Sequence, residues 1–262
     1  MKCNDILLAL EELCPVEYRE EWDNVGLLVG DLNREVQTVY LAVDATSEVI
    51  DQAIAAGADL LLTHHPLIFT PLKKIVFSDI VGERVIKLIQ ADVSYIAMHT
   101  NFDVMGMADA VADRLHIGNR EVLSVTYEDD ISSEGIGRVG DVLTSQPMNA
   151  YKYAEFIAGV FGLSDVRIWG DVERLVNRVA VVPGSGAEYY KEAVSGKADV
   201  LVTGDVTHHK ALDAIEAGIT VIDAGHYGLE KIFTEYMRDF LTRSFPNLQV
   251  IVERSHEPFV TI

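Results

Sequence analysis

Short apolar runs and amphipathic stretches take turns along nearly the whole chain. "TVYLAVDAT" (38–46) has the continuous apolar character of a buried strand and runs into a helix cap, and "SEVIDQAIAAGA" then carries apolar positions at helical spacing. "DLLLT" (59–63) predicts the next strand, "IVGERVIKLIQAD" (80–92) a helix, and "VSYIAMHTNFD" (93–103) a strand that ends in polar residues. Apolar strands alternating with helices mark α/β layers around a largely parallel sheet. The N-terminal "MKCNDILLALEELCP" predicts an amphipathic helix carrying Cys3 and Cys14.

The pattern recurs. "VAVVPGSGAEYYKEAVSGKADVLVTGD" (179–205) lies on "VYLAVDATSEVIDQAIAAGADLLLTHH" (39–65) without a gap, at an offset of 140. Val39 falls on Val179, Glu48 on Glu188 and Ala53 on Ala193, and "ADLLLT" falls on "ADVLVT". One strand–helix–strand unit thus occurs twice, which predicts two related α/β halves with mixed, largely parallel sheets. "YEDDISSEGIGRVGDVLTSQP" (127–147), rich in Gly, Ser and acids, is the expected boundary. The last stretch predicts a long helix, then Pro246, then a strand returning to the first sheet. The halves are therefore expected to interleave, as 1–126 plus 243–262 and as 127–242.

A chain of 262 residues with 49% hydrophobic and 24% charged positions buries a real core. Its net charge of −20 repels phosphate backbones and anionic lipid, which argues against nucleic-acid and membrane partners. No apolar run approaches the ~18 residues of a membrane span, no signal-peptide pattern precedes the first helix, and two cysteines make no disulfide framework. A cytoplasmic protein is expected.

Sites in open α/β sheets form beyond the carboxyl ends of the strands, and polar clusters occupy such places here. "LTHHPLIF" carries His64 and His65, and Pro66 restricts His65 to extended backbone, which suits two rings splayed towards different targets. "MHTNFD" carries His99 and Asp103. "DAGHYGLE" carries His226 and Glu230, four apart and so on one helical face. Asp103 also has a simpler reading as a cap for "MADAVADRL", His226 as a core histidine and Glu230 as a surface residue. Together, the five donors His64, His65, Asp103, His226 and Glu230 exceed what one tetrahedral zinc needs and suit two ions. In "TGDVTHHKALDA", Asp205 or Thr207 can cap a helix with His208 and His209 in its first turn. "GSG" (184–186) has the form of a phosphate-binding turn. In "WDNVGLLVG" (22–30), Trp22 is expected to anchor against the core and Asp23-Asn24 to make a turn.

Taken with "EEWDNVGLLVG", these motifs in this order resemble the Nif-three-like family, often labelled GTP cyclohydrolase I type 2, over nearly the whole chain. The resemblance implies a dinuclear metal centre with ligands at His64, His65, Asp103, His226 and Glu230. It also implies a toroidal hexamer, a trimer of dimers, with metal sites facing an internal cavity. Longer members carry an inserted domain for which 127–175 is too short.

The expected function is a hydrolase of a small nucleotide-like molecule. Two divalent ions per chain, zinc, iron or manganese by ligand type, would supply a bridging hydroxide. His99 and His208 are the candidates for proton transfer. A non-catalytic metal-binding scaffold and a dinuclear phosphoesterase are the alternatives.

Overall fold

In the computed structural model the described residues are 1–144, 146–254 and 259–260; residues 145, 255–258 and 261–262, which belong to the expected boundary stretch and C-terminal return, lie outside them. The described residues form two compact units, Met1–Phe102 with residues 233–254, and Asp103–Ile232 with residues 259–260.

The first unit holds a five-stranded sheet in the order Gly26–Val29, Ser94–Ala97, Leu60–Thr63, Thr38–Ala42, Gln249–Val252. Only Gly26–Val29 runs antiparallel to its neighbour; the other pairings are parallel. Gln249–Val252 is the predicted C-terminal return. The three central strands are buried along their whole length, which is why they read as unbroken apolar runs rather than alternating ones. Helix Ser47–Ala55 starts where Thr46 Oγ1 accepts from Val49 N and places Val49, Ile50 and Ala53 in the core.

The second unit holds a six-stranded sheet whose parallel centre is Arg178–Val181, Val200–Thr203 and Thr220–Asp223. The duplication extends to the register. Val39 pairs with Leu60, and Val179 with Val200, each number 140 higher. The shared aspartate has a reason: Asp59 Oδ2 accepts from Gln37 N and Thr38 N, and Asp199 Oδ2 accepts from Asn177 N and Arg178 N. Each carboxylate thereby satisfies two backbone donors where a parallel strand begins. The second copy's helix is shorter, Tyr190–Ser195 behind a 3-10 turn, since no side chain caps its start as Thr46 does in the first.

The boundary differs from the expected one. Residues 127–142 are no linker; strands Ile117–Glu128 and Ser133–Val142 pair antiparallel and join the second sheet through Arg178–Val181. Asp129 Oδ1 closes their turn by accepting from Ile131 N and Ser132 N. Gly135 belongs to close strand approach rather than flexibility, since a Cβ there would lie 2.0 Å from Ser124 O. The first boundary accordingly falls between Phe102 and Asp103, and the second between Ile232 and Phe233. Among the described residues no helix is long and apolar enough to cross a membrane. Cys3 and Cys14 are buried and form no disulfide.

Candidate metal centre

In the first unit the strand Leu60–Thr63 ends directly before the two histidines. Tyr95, fully buried on the neighbouring strand, pins the turn. Its hydroxyl accepts from Leu67 N at 2.8 Å and lies 2.7 Å from Thr63 Oγ1, and both hydroxyls reach the carbonyl of His65. Burial pushes the Tyr95 phenol well above its ordinary range, so it stays a neutral hydrogen-bonding group. Held this way, the rings of His64 and His65 do not splay apart but lie side by side, centroids 4.8 Å apart. His99, two residues past the end of Ser94–Ala97, joins them, and one ligand atom from each of the three lies within 4.8 Å of the others.

Each imidazole is fixed through Nδ1. His64 Nδ1 is 2.8 Å from Met98 O, His65 Nδ1 2.8 Å from Asp44 Oδ1, and His99 Nδ1 2.8 Å from Asp23 Oδ1. A carbonyl or carboxylate acceptor puts the proton on Nδ1 and leaves the lone pair on Nε2, the arrangement that suits an imidazole for a cation.

Asp23 is not the simple turn residue expected. Its side chain is fully enclosed and also accepts from Thr100 N and Thr100 Oγ1. Burial resists its ionisation, but the hydrogen bonds from His99 and Thr100 outweigh burial and hold the carboxyl at about 2, below its ordinary 3.8. A folded value below the unfolded one stabilises the fold fully above the unfolded value, and that contribution is lost as pH falls towards 2. The linkage is on the order of 2 kcal/mol near neutral pH. Asp23→Asn is therefore expected to cost about that much in urea unfolding near pH 7 and progressively less below about pH 4. A deficit that stays constant with pH refutes it.

Trp22 also departs from expectation. It is 56% exposed rather than anchored in the core, and packs on Phe69 and His99. The carboxylate beside it takes the buried place.

In the second unit His226 and Glu230 share the short helix His226–Glu230 that follows strand Thr220–Asp223. His226 Nδ1 is 2.8 Å from Asp205 Oδ2, and its Nε2 is 2.9 Å from Glu230 Oε2. A neutral imidazole has one N–H and cannot donate to both carboxylates. Either an imidazolium or a cation shared by Nε2 and Glu230 satisfies this geometry, so the residues fit a metal ion. Glu230 is buried at 3% exposure, so it is no surface residue.

Two glycines make room for this pair. A Cβ on Gly184, where φ is +76°, would lie 2.3 Å from Glu230 Oε1, and one on Gly204 would lie 2.4 Å from His226 N. The "GSG" turn thus lies against a carboxylate, the opposite of what a phosphate-binding loop needs.

Asp103 opens a π-helical turn, Asp103–Met107, and is not the cap of helix Ala108–Arg114, whose N-cap is Met107. Buried Arg138 clamps that turn, donating to Val104 O and ion-pairing Asp109. Thr207 caps helix His208–Glu216, leaving Asp205 to hold His226. His208 and His209 are exposed in the first turn, their rings 5.5 Å apart, with His208 edge-on to Trp169.

The holders Asp23, Asp44 and Asp205 escaped the sequence reading. A signal existed for two of them. Asp44 lies just past Thr38–Ala42 and holds the imidazole past the adjacent parallel strand; Asp205 lies just past Val200–Thr203 and does the same. Both sit 21 residues before their histidine.

The sequence matches the family described as Duf34/NIF3 (NGG1p interacting factor 3) over residues 1–258. A Clostridium perfringens protein named "GTP cyclohydrolase 1 type 2 homolog" is 35% identical over 232 residues, covering 88% of this chain and 87% of its own. A Lactococcus lactis protein of the same name is 34% identical with both chains covered at 100%. The crystal structure of the Staphylococcus aureus hypothetical protein SA1388 superposes with a TM-score of 0.89 at 30% identity, covering 100% of this chain and 99% of that one. With the fold and the whole-length sequence in agreement, this chain belongs to the Duf34/NIF3 family.

Proposed function

We propose that this chain is a metal-dependent hydrolase of a small nucleotide-like molecule, with His64, His65, Asp103, His226 and Glu230 as the ligands of two divalent ions. What supports the reading is one repeated arrangement: every histidine of the proposed site, His99 included, has Nδ1 engaged by a carbonyl or carboxylate, which commits Nε2 to another role. A purely structural histidine needs no such uniformity. The relatives' names, GTP cyclohydrolase 1 type 2 homologs, supply the nucleotide-like substrate class.

Divalent ions held by these five residues would supply a water of lowered pKa and a counter-charge for the substrate. The chain's own residues do the rest. Asp44 and Asp205 orient imidazoles and hold the ring proton on Nδ1. Asp23 keeps the His99 proton on Nδ1, so Nε2 can take a proton from a nucleophile or pass one to a leaving nitrogen. Proton transfer is assigned to His99 rather than His208, which stands exposed on a helix start with aromatic and histidine neighbours. We further propose the hexamer that the family resemblance implies.

The test is a screen of the metal-loaded protein against purine nucleotides and simple phosphoesters, with metal content measured on the same sample. Turnover of a nucleotide at about two ions per chain is the expected result. Two bound ions without turnover of either class would establish the scaffold instead, and phosphate release from all phosphoesters the phosphoesterase. Sedimentation should give six times the 28.9 kDa chain.

A further inference from the structure

We propose that Trp22 and Phe69 form the stacking surface for a planar heteroaromatic ring of the substrate, beside the His64–His65–His99 donors. The proposal rests on the hydrolase reading above and adds to it how the substrate is held.

Trp22 is 56% exposed and Phe69 50% exposed. Their centroids are 5.6 Å apart with the planes inclined at 44°. His99 stands edge-on to both, at 5.9 Å from Trp22 and 6.3 Å from Phe69, so the aromatic pair continues directly from the donor group.

These rings are exposed by construction. Asn24 Nδ2 donates to Ile68 O at 2.6 Å, which ties the loop carrying Trp22 to the loop carrying Phe69. On the other side, Glu20 N donates to Thr100 Oγ1, and the enclosed Asp23 carboxylate accepts from Thr100 and His99. A tryptophan with firmly hydrogen-bonded neighbours on both flanks has little mobility left to lose, yet its indole stays in water. Such a preformed aromatic face gains most from a flat π-system, by stacking that depends little on which base is presented. Rigidity before binding also reduces the ordering cost on association. The exposed surface offered here is aromatic and carries no cationic side chain of its own, so it suits the ring of the substrate rather than its phosphates.

The sequence has two tryptophans, so Trp169→Phe leaves Trp22 as the sole indole reporter. Emission from that protein is titrated with guanosine monophosphate and, in parallel, with ribose 5-phosphate, on samples of measured metal content and sedimentation mass. Saturable quenching by the nucleotide and none by the sugar phosphate is expected. Phe69→Ala should weaken the nucleotide's Kd by about tenfold or more, without changing metal content or mass. In the parent background, Trp22→Phe should retain most binding, measured calorimetrically, and Trp22→Ala little. Equal responses to the two ligands, or no saturable quenching at millimolar nucleotide, overturn the proposal. So does a fall in assembly mass on Phe69→Ala, which would show the rings to be covered by a second copy of the chain. The metal measurement separates the two readings: failure to stack at full metal content sinks this proposal alone, whereas base-dependent quenching in a protein that binds no metal sustains it and sinks the metal centre.

Discussion

Glu230→Gln is expected to reduce bound divalent metal from about two ions per chain to one or fewer, and to remove most of the thermal stabilisation that metal confers. The carboxylate is 3% exposed and lies 2.9 Å from His226 Nε2. Burying a carboxylate against an imidazole that already faces Asp205 is costly unless a positive charge sits among them. Glutamine keeps the shape and removes the charge, so a cation held there would lose this carboxylate's attraction. Wild-type protein loaded at ~1,000 times its Kd should be stabilised by roughly 4 kcal/mol over chelator-treated protein, and the variant by far less. Metal analysis after gel filtration and melting with and without chelator measure both effects. Equal metal content in the two proteins would remove Glu230 from the ligand set.

Gly204→Ala should be the most damaging small substitution near the site. The added Cβ would meet His226 N at 2.4 Å, Gly225 C at 2.5 Å and His226 Cα at 2.7 Å. All three are backbone atoms, so no rotamer change relieves the overlap; the start of the His226–Glu230 helix must move. Overpacking of this kind costs about 3 kcal/mol, and displacing His226 from Asp205 should weaken metal binding as well. Gly57→Ala is the control: its φ of +68° is strained for alanine, but nothing lies within 4 Å of the new atom. That substitution should cost only ~1 kcal/mol and leave metal binding unchanged. Urea unfolding and metal titration of both variants check the contrast. Similar losses in the two proteins would mean that closeness to His226 is irrelevant.

The candidate site was half legible before any coordinates. His64, His65, His99 and His226 stood out because each follows a strand-like apolar run, and strand ends are where α/β sheets place their chemistry. Their partners were not legible. Asp23 lies 76 residues from His99, and nothing in "WDNVG" tells an enclosed carboxylate from a turn residue. The reading of Trp22 failed for a related reason. Large apolar side chains are buried by default, whereas here the hydrogen bonds of Glu20, Asp23 and Asn24 fix the loop with its indole exposed. The glycines of 135–140 were read as a boundary because composition alone does not separate a flexible linker from a strand that needs close neighbours.

The alternation of apolar runs and helical stretches by itself determined the α/β class, the duplicated strand–helix–strand unit and the return of the last strand, because hydrophobic period and register are properties of contiguous residues. The 140-residue offset seen in the letters is the offset of the paired strands. Only the tertiary structure decided which carboxylate holds which imidazole, which aromatic rings stay in water and where the two units divide. Those outcomes depend on the approach of segments far apart in the chain, where burial and hydrogen-bond geometry outweigh local preference.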